Sequence, residues 1–371
     1  MSVTHADFVA TIKSKYAHKL IKIEVLDENF QIIESLTPKV ISGDIQYSYE
    51  NGIRRTANIV LDNSDGDFTP DVTALWMNNR FKIYTGYVIN GEDYYVSRGI
   101  FEYGENEITS NMAERVATLG LYDMMARLDS SLSGTLLAPY IIDAGQSIED
   151  VIKTLFIDAG FTKVPVIYPT TEVTPFTIAT TVGQSYFDII QSLCNMLSWV
   201  AFFDSDGYFR FQPPTNLDSS GSVWDFSTTE INYLGGQRRF SFSEIRNTVK
   251  IFGDNIAGTL VTATASDTAV DSPTAVALIG ERVLVIEDTN IYNISLAADR
   301  ASFELQKSIS MIETINMNAI VVDIIYPDDV ITITDSAISL TGDRYLVKSV
   351  SFPLTTDGTM SLSLWKQRSL S

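Results

Sequence analysis

The stretch Asp62-Asn63-Ser64-Asp65-Gly66-Asp67-Phe68-Thr69-Pro70 crowds carboxylates, an amide and hydroxyls around one glycine. Such a set suits a calcium loop, a catalytic carboxylate cluster, or a tight turn whose side chains cap their own backbone. The calcium loop fails on spacing. Counting from Asp62 puts Gly66, which has no side-chain oxygen, at a ligating position, and counting one residue earlier puts Leu61 at the first. The turn needs less: Asp-Gly favours positive φ, and Thr56–Leu61 before it alternates polar and apolar as a half-buried strand does. Asp204-Ser205-Asp206-Gly207 and Thr356-Asp357-Gly358-Thr359 repeat the signal between strand-like runs.

Other reactive residue types are scarce. Both histidines, His5 and His18, lie near the N-terminus, so a Ser-His-Asp or Cys-His set lacks a base near a plausible pocket. Zinc needs more His and Cys than the chain has. The phosphate-binding glycine patterns of P-loops and dinucleotide folds do not occur. Cys194, the single cysteine, excludes an intrachain disulfide and sits among Ile190, Leu193 and Leu197, as a buried thiol would. The 46 acids leave a paired-carboxylate glycosidase open, because sequence does not show their separation. Arg54, Arg55, Arg238 and Arg239 read as ion-pair partners on the chain's own surface or across a subunit contact rather than as anion contacts. Phe240 and Phe242, two apart, read as the core side of a strand rather than a stacking platform. No catalytic, cofactor or metal residue is assigned.

The elements around these residues belong to a folded chain of 371 residues, 45% hydrophobic and 19% charged. Its net charge of −20 disfavours gripping nucleic acid or an anionic membrane. The N-terminus has no signal-peptide core, and the most apolar run, Cys194–Phe203, is too short to span a bilayer. The expectation is a chain made and folded in a cytoplasm without a membrane anchor.

Thr4-His5-Ala6-Asp7 opens a short capped helix. Strands are then expected at Leu20–Leu26, Gly43–Tyr49, Thr56–Leu61, Arg80–Val88, Asp93–Phe101 and Ala113–Leu119, closed by helical turns over Leu121–Leu128. Ser147 with Asp150 and Ser185 with Asp188 start two amphipathic helices, the first stopped by Gly160. A hairpin over Val200–Phe211 and the Pro213-Pro214 pair end this section. Later strands are expected at Thr248–Phe252, Ile320–Ile325, Val330–Thr334, Tyr345–Phe352 and Thr359–Trp365, with a helix from about Leu296 to Ser308.

A weak internal repeat runs through this order. Arg54–Leu61 is matched to Ile245–Phe252, Arg80–Gly86 to Asp329–Asp335, and Tyr94–Tyr103 to Tyr345–Leu354. One β-module is used twice, the second copy interrupted by an insertion. The domains expected are 1–129, the first β-module; 130–215, a small α/β domain; 222–256 with 311–371, the second β-module; and 257–310, an inserted segment with one helix. The class is β-rich α+β.

Four stretches of the first module (52–70, 79–87, 99–108 and 117–128) resemble the N-terminal part of phage baseplate hub proteins. Three later stretches (244–255, 328–335 and 342–368) resemble their C-terminal part. The resemblance implies two tail-tube-like β-barrel modules, the 62–70 stretch being the loop after a barrel strand. It further implies a homotrimer whose six modules form a pseudo-six-fold ring, a symmetry adaptor in the virion tail. The tail tube or a distal tail protein would lie above it, the three-fold spike or tip protein below, and DNA would pass through on ejection without specific binding. A lytic activity would come from another chain. Two rivals stay open, a tail-associated glycan hydrolase and a carbohydrate-binding tail adhesin. The charge is expected on the lumen and outer surfaces, with apolar subunit contacts edged by arginine.

Overall fold

A computed structural model describes residues 4–14, 17–49, 52–69, 75–175, 177–217, 219–254, 259–310 and 313–366. Pro70, Asn255, Ala257 and the ends of the two expected second-module segments at 256, 311 and 367–371 lie outside them.

Alternation of apolar and polar residues builds most strands. In Arg55–Asp62, Ala57, Ile59 and Leu61 point into the core while Asn58 faces out. The first set comprises β1 (Lys19–Leu26), β2 (Ile32–Ser35), β3 (Val40–Ser48), β4 (Arg55–Asp62), β5 (Arg80–Ile89), β6 (Glu92–Ser110) and β7 (Arg115–Asp123). Helix α1 (His5–Ile12) precedes it, held by a Thr4–Asp7 capping box. Strand β6 runs on to Ser110, well past the expected end at Phe101, because its acidic second half pairs with β7 as a hairpin. Leu121–Asp123 belong to β7, and the helical turn is confined to Met124–Arg127.

The middle of the chain holds β8 (Ile141–Ile142), α2 (Ile148–Asp158), β9 (Val166–Ile167), β10 (Ile178–Ala179), α3 (Tyr186–Leu197), β11 (Val200–Phe203) and β12 (Phe209–Gln212). Ser185 and Asp188 form the expected reciprocal cap of α3, whereas the Ser147 side chain makes no capping hydrogen bond to α2. Gly160, in the left-handed region at φ 77°, follows the end of α2.

The rest comprises β13 (Trp224–Ser227), β14 (Tyr233–Phe240), β15 (Thr248–Asp254), β16 (Leu260–Ser266), α4 (Val276–Ile279), β17 (Val283–Glu287), α5 (Ile294–Ser310), β18 (Glu313–Ile320), β19 (Val330–Asp335), β20 (Leu340–Pro353) and β21 (Thr359–Trp365). Two expectations fail here. Val321–Ile325 is a loop rather than a strand, its Val321, Val322 and Ile325 buried without pairing. Thr248–Asp254, which contains most of the Ile245–Phe252 stretch matched in sequence to Arg54–Leu61, lies outside the large sheet and pairs with β16 and β17. Strand β18 takes that place, with Glu313, Ile315, Met317 and Ala319 inward.

Thirteen strands make one sheet, in which the first set runs β1-β5-β6-β7-β4-β3 and the second runs β13-β19-β20-β21-β18-β14. Taken in chain order the two paths correspond strand for strand, with β2 added outside β1. The outermost pairs differ in sense: β1 is antiparallel to β5 and β13 parallel to β19. The sets are joined where β3 pairs with the C-terminal half of β20, and one core lies under both. A second core joins α2, α3, β11 and β12 to β15, β16 and α5, so the segment expected as a separate insertion shares its interior with the α/β section. Among the described residues no helix is long and apolar enough to cross a membrane.

Candidate functional site: the joint between the strand sets and its free edges

The acidic loop is a turn. Asp62 accepts from the Ser64 N–H, Asn63 from the Phe68 N–H at 2.9 Å, and Gly66, at φ 85°, donates back to the Asn63 carbonyl. Asp65 pairs with Lys39, whose ammonium holds this carboxyl below its usual range. Asp204 likewise accepts from the Asp206 and Tyr208 N–H groups and pairs with Arg210 at 2.7 Å. Among the described residues no three His, Cys, Asp or Glu side chains gather as a metal site requires. Cys194 lies on the buried face of α3, and burial pushes its thiol up to about 12, the inert end of cysteine chemistry. His18 is exposed.

Arg54 and Arg55 are not surface arginines. Arg54 lies between the rings of Tyr49 and Phe202, at 5.0 and 4.5 Å, and Arg55 lies over Tyr47. Asp123 orders this corner by accepting from the Arg54, Arg55 and Met125 N–H groups, and burial raises its carboxyl to about 6. The arginines border a cleft of about 250 Å³ with Asp328 and Asp329, the latter raised by burial to about 7. Arg238 pairs within the chain, reaching Glu313 at 2.9 Å.

The joint between the sets holds residues that sequence reasoning passed over. Arg98 on β6 is fully buried; it donates to the Asp323 carbonyl and, at 3.3 Å, to the Tyr326 hydroxyl, and packs against Tyr47, Tyr326 and Phe352. Thr85 donates to the Asp323 carboxylate, Tyr87 to the Val321 carbonyl and Lys19 to the Pro353 carbonyl. Burial lowers the Lys19 ammonium to about 8, against the opposing pull of Asp323. A charged residue inside the apolar run Tyr95–Phe101 was the available signal for Arg98. This joint fixes two similar strand sets to each other with buried, directional bonds.

The sheet also has free edges. No described strand pairs with the outer side of β14, or with Gly104–Thr109 of β6 on the side where β5 has ended. Arg239 on β14 is exposed, and Phe240 and Phe242 are 46% and 64% exposed, their rings nearly parallel at 6.4 Å. They are not core, contrary to the alternation argument: Phe240 ends an outermost strand, which has cover on one side only, and Phe242 lies just past the strand's end.

No family model matches the chain, and no curated protein matches it. Among solved structures, the tail protein from Neisseria meningitidis MC58 matches with a TM-score of 0.66 at 13% identity, over 94% of this chain and 97% of that one. The 43 kDa tail protein of prophage MuSo2 from Shewanella oneidensis matches at 0.62 and 13% identity, over 94% and 98%. The prophage tail protein gp18 from Listeria monocytogenes EGD-e matches at 0.60 and 12% identity, over 94% and 95%. The match spans nearly the whole of each chain, and the fold of this protein is that of phage tail proteins.

Proposed function

We propose that the chain is a structural hub of a phage tail or phage-like particle, located in the virion and assembled in the host cytoplasm. Three copies close a pseudo-six-fold ring that joins a six-fold tail tube, or a distal tail protein, to a three-fold spike or tip protein. The observation that carries this reading is the repeated strand order, β1-β5-β6-β7-β4-β3 and β13-β19-β20-β21-β18-β14. Three copies of a chain with two like strand sets present six like positions, which is what a three-to-six symmetry adaptor requires. Each set serves as one tube-like β-module in this reading, and the α/β section with the β15–β17 sheet packs beside them.

The channel reading draws on one face of the sheet. Gln46, Asn316, Asn318, Ser349, Ser351 and Ser361 line a shallow cleft of about 540 Å³ without a charged side chain. A hydroxyl and amide surface offers a passing polyanion no cation to hold, so DNA slides past without the salt-sensitive affinity of phosphate contacts. The role in this reading is structural, and the carboxylates of the two acidic turns serve the fold: Asp62 and Asp204 accept from backbone N–H groups, and Asp65 and Asp204 pair with Lys39 and Arg210.

Mass measurement of the purified chain, alone and mixed with its tube and spike neighbours, tests the proposal. A trimer, or a complex with three copies of this chain, is expected. Persistent monomers in every mixture would overturn it.

A further inference from the structure

The internal joint is a template for a second joint that a single chain cannot make. Both strand sets carry β-bulges at matching places: between Val40 and Ser42 on β3 and between Tyr233 and Gly235 on β14, then between Tyr103 and Glu105 on β6 and between Val347 and Ser349 on β20. Bulges pin register, so they align the sets residue by residue. Gln46, Tyr47 and Tyr49 correspond to Arg239, Phe240 and Phe242. Ser349, Ser351 and Phe352 correspond to Glu105, Glu107 and Ile108.

Within the chain, β3 docks on β20 in the register Ser48 to Ser349, Tyr47 to Val350, Gln46 to Ser351 and Ile45 to Phe352. Gln46 donates to the Ser351 hydroxyl at 2.7 Å, and Tyr47 meets Phe352 edge-on at 5.5 Å. Tyr49 continues the pairing by donating to the Lys348 carbonyl and packs on Trp365. The residues at this joint are covered: Tyr47 is 2% exposed and Phe352 fully buried.

Their counterparts are bare. Phe240 is 46%, Phe242 64% and Ile108 40% exposed, and each lies on or beside an edge that no described strand covers. We infer that the β14 edge of one copy docks antiparallel on residues 105–109 of β6 in a second copy, in the register of the internal joint. Arg239 then stands opposite Glu107, Ser241 opposite Glu105, and Phe240 opposite Asn106 with Ile108 diagonal to it.

Charge supports this occupant independently. The neutral Gln46–Ser351 pair of the internal joint becomes the opposite-charge pair Arg239–Glu107 between copies, and Glu105 adds a second acid beside it. The interior joint can use amide and hydroxyl because the chain already tethers its halves. A contact between separate copies gains specificity from opposite charges and rejects the reversed pairing of like edges. A groove of about 460 Å³ beside Tyr103–Asn106 is lined by Trp76, Met77 and Leu132 together with the charged Glu102 and Arg127, and its apolar part lies next to the edge on which Phe240 would dock. The contact uses different surfaces on the two copies, so it propagates head to tail, and in the ring reading it alternates with the internal joint around three copies.

This inference rests on the ring reading above, and the test separates the two. Cysteines are placed at Arg239 and Glu107 of the full chain, with buried Cys194 left in place, and in the offset pairs Arg239 with Glu105 and Arg239 with Thr109. Directly opposed strand residues have Cα atoms within disulfide range, whereas positions two residues off lie beyond it at about 7–8 Å. Mild oxidation is expected to give covalent trimers from the Arg239→Cys/Glu107→Cys protein and little product from the offset pairs. In parallel, Arg239→Glu and Glu107→Arg should each weaken self-association at least several-fold with unchanged melting of the single chain, and their combination should restore it. Trimers that cross-link only in an offset register, or not at all, would overturn the docking and leave the ring standing. Absence of trimers at every concentration and in every mixture would overturn both.

Discussion

The guanidinium carbon of Arg98, on β6 of the first strand set, lies 3.9 Å from the ring centroid of Phe352, on β20 of the second. The same side chain donates to the Asp323 carbonyl, so one fully buried cation bonds across the joint while it sits over an aromatic ring. Truncating it leaves a cavity among Tyr47, Tyr326 and Phe352 and strips the buried Asp323 of its neighbouring cation. Arg98→Ala is expected to lower stability by roughly 3–5 kcal/mol, and Arg98→Met, which keeps most of the volume, by less. Urea unfolding followed by tryptophan fluorescence checks this. Equal midpoints for Arg98→Ala and the parent would show the joint to be incidental.

Asp329 gives the fold a pH dependence of definite sign. Its carboxylate accepts from the Tyr326 N–H at 2.7 Å, yet burial raises it to about 7. The native state therefore holds a proton that the unfolded chain releases at its ordinary carboxylate value, and this contribution is lost as pH rises from about 4 to about 7. Asp123, raised by burial to about 6, acts in the same direction over a narrower window. Asp329→Asn should remove part of that slope and stabilise the protein at pH 8 by on the order of 1–2 kcal/mol. Parallel pH–stability curves for the two proteins would contradict it.

At the alkaline end Lys19 reverses the trend. Burial lowers its ammonium to about 8, so the folded chain binds fewer protons than the unfolded one between about 8 and the ordinary lysine value. Stability should rise with pH across that interval, and Lys19→Met should flatten the rise. Thermal melting in a buffer series from pH 7.5 to roughly 10.5 reads the difference.

Two helix starts that look alike in sequence should respond differently. Ser185 accepts from the Asp188 N–H at 3.1 Å and Asp188 answers by accepting from the Ser185 N–H at 2.7 Å, whereas Ser147 makes no such bond. Ser185→Ala is expected to cost about 1 kcal/mol and Ser147→Ala only a fraction of that. Matched losses in the two variants would mean that the caps are equivalent.

The thiol of Cys194 provides a check on the second core. Burial pushes it up to about 12, and α3 places it against the interior shared with α5 and β15. An aromatic disulfide reagent at pH 8 should leave the native protein unmodified and titrate one thiol after denaturation. Rapid reaction of the native protein would show that this core opens readily.

Features set by residues close together in the chain are legible in the sequence. The caps at Thr4–Asp7 and Ser185–Asp188, the stop at Gly160 and the turns at Asp62–Asp67 and Asp204–Gly207 each depend on a side chain and a backbone group only a few positions apart. The strands showed through alternation, which records which face is covered but not which strand covers the edge. That is why Thr248–Phe252 read correctly as a strand yet joined a sheet other than the one assigned, with β18 in its place. It is also why Phe240 and Phe242 read as core when the strand that ends at Phe240 lies at an edge. Arg54 and Arg55 carry the largest misplacement, and Arg98 was passed over, for one reason: a guanidinium is hydrated unless distant parts of the chain supply aromatic faces and carbonyls together. The Gln46–Ser351 bond spans 305 residues, and no local spacing reports a partner so remote. Local hydrogen bonding determined the pieces, and the pairing of β3 with β20, a long-range choice among many similar strand edges, was decided only when the tertiary structure buried one of those edges and left its counterpart bare.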